Sequence, residues 1–387
     1  MQVLVIGAGV IGLSVATELA HRGARVTVVE AETPGTGTSA SSYAWVNANN
    51  KRPVNYYELN LAGVQAHHRL MHDEDGDWLV PTGHVEVATD TAHQQELQER
   101  LTRLQDLGYQ AEELTPQQAH DLIPDLIIAS PNATIGYYPQ EAYCLTQSYL
   151  TFLLHRADRL GVQIITETRV DGFNSDGPQV QVDLSNGLTV TADHVVSCAG
   201  RWTQTVAQHA GTTVPMMKFE HPGDPTVGYL AVTNPLSVPL NRLVTTSQLN
   251  IRPDGQGRLL LQALDLDIDA DPSAVPALDS PLAAELVTRL QNVLTRTDDA
   301  AITQLQVGQR ALPIDGQTVA GPIPNMPWLY VVATHSGITL APLLGASVAA
   351  EIYGTPQDLL TDFRPDRFLS DTGVTATPVP PRRPGQQ

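Results

Sequence analysis

The sequence predicts an α/β protein in which a Rossmann-like domain is joined to an α+β domain built on a mainly antiparallel sheet. Three features of the 387 residues lead there. A strand, a glycine turn, a helix and a second strand open the chain. Alternating segments dominate from about residue 211 to 309. After them, an apolar run and a small-residue helix restore α/β character.

The elements follow in order. "QVLVIGAG" reads as a short strand ending in glycine, "VIGLSVATELAHRG" as a helix stopped by Gly23, and "ARVTVVE" as a second strand, which makes a βαβ unit. The loop "TPGTGTSASS" comes next. A helix through "VNYYELNLAGVQAHHRLMHD", an alternating strand at "GHVEVATD" and a polar helix at "AHQQELQERLTRLQDLG" follow it. "LTQSYLTFLLHRADRLG" is an amphipathic helix with Thr146 as its expected N-cap, before strands at "VQIITETRVDGFN", "QVQVDL", "TVTA" and "HVVSCAG". The antiparallel region then supplies "VGYLAVT", "LVTTSQLNIRP", "GRLLLQAL", a helix at "SPLAAELVTRLQNVL" and "AITQLQVGQRAL". "LYVVA" and the helix after His335 close the fold, and there is no internal repeat.

Composition narrows the function. The formal charge of -19 repels nucleic acid, and only Lys51 and Lys218 are lysines. Cys144 and Cys198 match neither a disulfide framework nor a zinc spacing. The first apolar run lacks a basic leader and is broken by glycines, so no signal peptide or membrane span is expected and the location expected is cytoplasmic. The Pro-rich end, 371–387, is expected to be a disordered tail. His68 and His72 lie four apart beside "DEDGD" but have no third ligand motif, and no metal is expected.

Gly7, Gly9 and Gly12 form G-x-G-x-x-G between the first strand and helix, and Glu30 ends the second strand eighteen positions after Gly12. The first glycine permits the turn, the second admits a pyrophosphate to the backbone, and the third lets helix and strand touch. The phosphates would then lie on the helix N-terminus and Glu30 would accept from the adenosine ribose hydroxyls, with Val10, Ile11 and Ala31 also expected at the cofactor. FAD and NAD both fit this unit.

Five segments in one order resemble the D-amino acid oxidase superfamily of FAD-dependent oxidoreductases, which includes glycine oxidase and sarcosine oxidase. They are the fingerprint with "TSASSYAWVNAN", then "VVSCAGRW", "NIRPDGQGRLLL", "RALPIDGQTVAGP" and "THSGITLAP". The resemblance implies noncovalent FAD. It implies an FAD-binding domain from 1–80, 145–210 and 312–370, and a substrate domain from 81–144 and 211–311. It sets Thr38, Ser39, Ala40, Ser41 and Ser42 along the flavin and pyrophosphate, Val170 at the adenine, and Cys198, Ala199, Gly200 and Trp202 close by. The backbone of His335, Ser336, Gly337, Ile338, Thr339 and Leu340 would face the flavin's pyrimidine edge as a helix N-terminus. Covalent attachment through a C-terminal cysteine is not expected, because 312–370 holds none.

The activity implied is oxidation of a small amine or amino acid to an imine by hydride transfer to flavin N5, with oxygen or another acceptor completing the cycle. A substrate carboxylate calls for an arginine, whose planar fork binds it bidentately. Arg310, in the family's R-x-x-P-x-D-G pattern, is the first candidate, expected to meet the cofactor as well, and Arg252 the second; the alternative for Arg310 is an internal pair with Asp315. Lys218, Tyr229 and the His335 ring are further candidates. Two other readings stay open: a flavoenzyme tailoring a cyclic or modified amino acid in biosynthesis, and an NAD-dependent dehydrogenase or noncatalytic nucleotide sensor.

Overall fold

The computed structural model describes residues 1–368; the tail expected at 371–387 lies outside them. Six strands form the first sheet in the order Val319–Ile323, Met326–Ala333, His194–Ser197, Gln2–Ile6, Arg25–Val29 and Gln163–Ile165. All neighbours are parallel except the first pair, an antiparallel hairpin. In Gln2–Ile6, Val3 and Val5 enter one hydrophobic core while Leu4 and Ile6 enter another. Burial on both faces explains why this strand reads as an unbroken apolar run.

On the Val3 face lie the helices Val10–His21, Thr146–Arg159 and Gly337–Ile352. The first and last touch closely: a Cβ on Gly345 would stand 2.8 Å from the Ser14 carbonyl oxygen. Small residues in "LLGASVAA" therefore serve packing. Gly23 ends the first helix in the left-handed region, φ +90°, as its position in the sequence predicts. Thr146 is the first helical residue rather than the cap; Leu145 holds that place, with no side-chain hydrogen bond.

The second sheet has eight strands: Ile302–Gln309, Val227–Thr233, Leu259–Gln262, Asn250–Pro253, Leu243–Thr246, His84–Ala88, Thr134–Tyr138 and Glu112–Glu113. It is antiparallel apart from the pairing of Leu243–Thr246 with His84–Ala88. "LVTTSQLNIRP" divides into two strands at the Thr246–Leu249 turn. One face of the sheet packs on the helix Pro281–Val293 through Val85, Val87, Ala231, Val244, Ile251 and Leu261.

The other face holds polar residues that alternation alone would not bury. Glu86 is fully buried beneath the helix Thr91–Asp106, and His84 is fully buried against the Trp45 and Tyr138 rings. Glu86 bonds Arg100 and His93, the latter at 2.8 Å. Burial works to raise the Glu86 carboxyl, but the Arg100 charge and the His93 bond overcome it and hold it at about 2.

Candidate functional site

The two sheets meet at the loop that follows Glu30. A Cβ on Gly308, near the end of the Ile302–Gln309 strand, would stand 2.7 Å from the Ser41 carbonyl oxygen. Further along that loop, Glu141 ties the chain to the sheet. It accepts from Trp45 Nε1 at 2.8 Å, Asn49 Nδ2 at 3.3 Å and Tyr109 Oη at 2.9 Å, and lies 3.2 Å from His84 Nδ1. The quoted motifs held no sign of this carboxylate, because its partners are scattered over 64 positions, from Trp45 to Tyr109.

Between this loop, the first helix and the last lies a cleft of about 440 Å³. It is lined by Gly7, Gly9, Val10, Ile11, Glu30, Ala31, Thr38, Ser39 and Ser42 from the N-terminal unit. Val170, Cys198, Ala199, Gly200, Trp202, His335, Gly337 and Ile338 complete the expected set on its wall. Other expected residues sit behind the wall. Gly12 closes helix on strand, since a Cβ there would lie 1.9 Å from the Gly7 carbonyl oxygen. Ala40 lies in the short turn Thr38–Ala40 beside Ser41. Ser336 bonds Tyr56 Oη at 2.9 Å, Thr339 Oγ1 donates to the Trp45 carbonyl, and Leu340 is core.

The cleft suits a dinucleotide by its backbone. Gly7 takes φ +100°, and a Cβ there would lie 2.6 Å from the Cys198 carbonyl oxygen. Gly9 caps the first helix with no side-chain hydrogen bond, and Val10 N–H donates to Ser39 Oγ at 3.2 Å. Glu30 is fixed at the rim, accepting from Ala8 N–H at 2.7 Å and Glu32 N–H at 3.0 Å. Such an N-terminus attracts an anion by up to about 2 kcal/mol when partly buried. Cys198 is a buried thiol whose pKa burial pushes up, so it lines the wall in its neutral form.

Sequence reasoning missed one end of the cleft. Thr168, Arg169, Asp171, Thr205, Val206 and His209 also line it. They arrive because Gln163–Ile165 pairs with Arg25–Val29, which brings Thr168 N–H within 2.9 Å of the Glu30 carbonyl. Only the strand order could have revealed this.

Arg310 shares a strand face with Gly308 and so points to the loop side of the eight-stranded sheet. Its Nη1 donates to the carbonyls of Pro225 (2.8 Å) and Val227 (2.5 Å), and Nη2 lies 3.9 Å from the buried Asp267 carboxylate. Asp315 instead receives hydrogen bonds from Arg367, at 2.7 Å and 3.3 Å. Arg310 itself is not among the residues lining the cleft; on the sheet face it shares with Gly308, Leu230 and Val232 pack with Tyr43, Trp45, Tyr143 and Leu260.

The remaining candidates lie elsewhere. Arg252 is buried and bonds the carbonyls of Tyr43 and Pro253 at 2.6 and 2.7 Å, and Asp254 at 2.9 Å. Tyr229 donates its hydroxyl to the Asp269 carbonyl and packs with Val227 and Ala270, on the opposite side of its strand from Leu230. Lys218 is exposed and is not part of the cleft wall. His68 Nε2 contacts the Gln140 carbonyl at 3.2 Å. No helix among the described residues is long and apolar enough to cross a membrane.

Comparison with known proteins fits this geometry. Residues 2–351 match the family model described as DAO, FAD dependent oxidoreductase. An uncharacterized oxidoreductase of Bacillus subtilis, YurR, is 25% identical, with 92% of this chain and 96% of that protein covered. The glycine oxidase of Geobacillus kaustophilus is also 25% identical, over 96% of this chain and 98% of its own. A crystal structure of glycine oxidase from that organism superposes with TM-score 0.82 at 24% identity, covering 94% and 97% of the two chains. The L-proline dehydrogenase of P. horikoshii gives TM-score 0.81 at 19% identity, covering 95% and 97%.

Proposed function

The chain belongs to the DAO family of FAD-dependent oxidoreductases, and from that premise we propose that it oxidises the CH–NH bond of a small amine or amino acid. FAD is the cofactor of this family, which sets aside an NAD-dependent or purely nucleotide-sensing role. Bound FAD supplies the two-electron acceptor for the substrate C–H. The chain supplies the rest: it binds, orients and excludes water.

One observation carries the reading. Arg310 is a half-buried cation on the face of the sheet that meets the Ser41 loop, the face that also carries Leu230 and Val232 of an apolar aromatic cluster. That pairing suits a substrate with a carboxylate at one end and a small apolar body. Arg310 binds the carboxylate in competition with Asp267, and Pro225 and Val227 fix the guanidinium so that little side-chain freedom is lost. Positioning of the α C–H follows from this anchor, and no strong side-chain base is required.

In the cleft itself, the wall formed by His335, Gly337 and Ile338 would face the pyrimidine edge. The N–H groups of that helix start favour negative charge there, and the His335 ring is secondary to them. The test is an anaerobic screen of purified, FAD-loaded protein. Amino acids or secondary amines are expected to bleach the flavin, and Arg310→Lys is expected to weaken bleaching by carboxylate-bearing substrates. A flavoprotein that no amine or amino acid reduces would overturn the proposal.

A further inference from the structure

The helix Gly337–Ile352 carries a gap in its first turns. Pro342 has no N–H, so the Ile338 carbonyl four residues earlier receives no helical hydrogen bond. The ring of a proline inside a helix also crowds that carbonyl and turns it outward. Ile338 is buried, so its carbonyl oxygen calls for a donor.

A different helix fills the gap. His67, within Val54–Asp73, is fully buried and places Nε2 at 2.6 Å from the Ile338 carbonyl oxygen. A carbonyl only accepts, so the imidazole carries its proton on Nε2 and donates it. Burial, the largest influence, pushes the ring down to about 4 against the raising effect of the Ile338 bond, and the ring is neutral at physiological pH. Its place is fixed from two sides. Gly63, one turn earlier, lets the helices touch, since a Cβ there would lie 2.7 Å from the Thr339 carbonyl oxygen. The Tyr149 ring lies 5.2 Å from the imidazole, centroid to centroid.

Ile338 therefore has two sides. It lines the cleft, and its carbonyl is held from behind by His67. We propose that His67 is a positioning residue for the flavin: by holding the carbonyl that Pro342 leaves unpaired, it fixes the helix start whose N–H groups face the cofactor. This rests on the reading, given above, that the helix start meets the pyrimidine edge.

The test is a double-mutant cycle on the full-length protein, read by FAD dissociation constant, flavin midpoint potential and thermal midpoint of the FAD-free form. His67→Leu is expected to weaken FAD roughly 10-fold and to shift the potential. Pro342→Ala restores an N–H that can reach the Ile338 carbonyl, and His67→Leu in that background is expected to change FAD affinity less than about 3-fold. His67→Gln keeps a donor and is expected to stay within about 3-fold of the native protein. Equal losses in both backgrounds, or a fall in thermal midpoint with affinity and potential unchanged, would overturn the role of His67. Gly337→Val separates the two layers of the argument. If it leaves FAD binding intact, the helix start does not meet the flavin and both readings fall. If it weakens FAD while the cycle shows no coupling, only the His67 proposal falls.

Discussion

Gly337→Val offers a perturbation whose effect on the cofactor can be separated from its effect on the fold. A Cβ built at Gly337 meets nothing nearer than Ile11 Cγ1 at 3.9 Å, an ordinary contact. The protein itself accommodates the first added carbon. Gly12 is the contrast: there a Cβ would strike the Gly7 carbonyl at 1.9 Å, and any substitution disrupts the fold. At Gly337, helix propensity favours valine over glycine by a few tenths of a kcal/mol, so the FAD-free protein keeps its thermal midpoint within about 2 °C. The space beside Ile11 belongs to the cleft, however. If the flavin fills it, the two methyl groups overpack the site at a cost of about 1–3 kcal/mol, which is roughly 5- to 150-fold in FAD dissociation constant. Titration of FAD into the FAD-free variant, followed by flavin fluorescence, measures this. His335→Ala is expected to cost less. Unchanged FAD affinity in Gly337→Val, or a larger loss in His335→Ala, would refute the reasoning.

Three further outcomes are expected. Arg310→Lys replaces a bidentate fork by a point charge, and kcat/KM for carboxylate-bearing substrates should fall by about 1.5–3 kcal/mol, roughly 10- to 150-fold, while carboxylate-free amines change little. Steady-state kinetics on matched substrate pairs decide it, and equal losses for both would remove Arg310 from substrate binding. Arg252→Met frees the Tyr43 carbonyl and removes a partner from the part-exposed Asp254, so unfolding free energy should fall by about 1–3 kcal/mol in denaturant titration; unchanged stability with a raised KM would return Arg252 to the substrate site. His67 sets a pH dependence. Its folded pKa of about 4 lies below the ordinary 6.5, so the unfolded chain takes up the proton first. Stability is then complete above about pH 6.5 and is lost as pH falls toward 4, by about 3 kcal/mol over that window. Chemical denaturation across that range should show the loss in the native protein and not in His67→Gln.

The fold was legible where local chemistry decides it. The glycines at 7 and 12 are required by backbone contacts across one strand pairing or within the same turn, Gly9 makes room beside the Ser39 hydroxyl, and the apolar run "VGYLAVT" is the Val227–Thr233 strand. The cleft wall followed because its carriers are compact motifs at strand ends. What stayed hidden depends on long-range partners. Glu86 and His84 read as one side of a half-exposed strand, but a helix that follows in the chain supplies Arg100 and His93 to Glu86, while Trp45, Tyr138 and Glu141 enclose His84. Asp315, the alternative partner for Arg310 at five residues' distance, bonds Arg367, while Asp267, in the short helix Leu264–Asp269 held by the Tyr229 N–H, comes beside Arg310 from forty-three positions away. His67 and Pro342 look unremarkable apart; only the crossing of their helices makes them a pair.

The central claim is that an FAD held in this cleft takes electrons from a small amine or amino acid anchored at Arg310. Anaerobic titration of the FAD-loaded protein with a panel of amino acids and secondary amines, followed by the flavin's visible absorbance, tests it most directly. The account predicts stoichiometric bleaching by at least one carboxylate-bearing amine, with Arg310→Lys requiring a markedly higher concentration. Full bleaching by dithionite with none from any amine in the panel would contradict it.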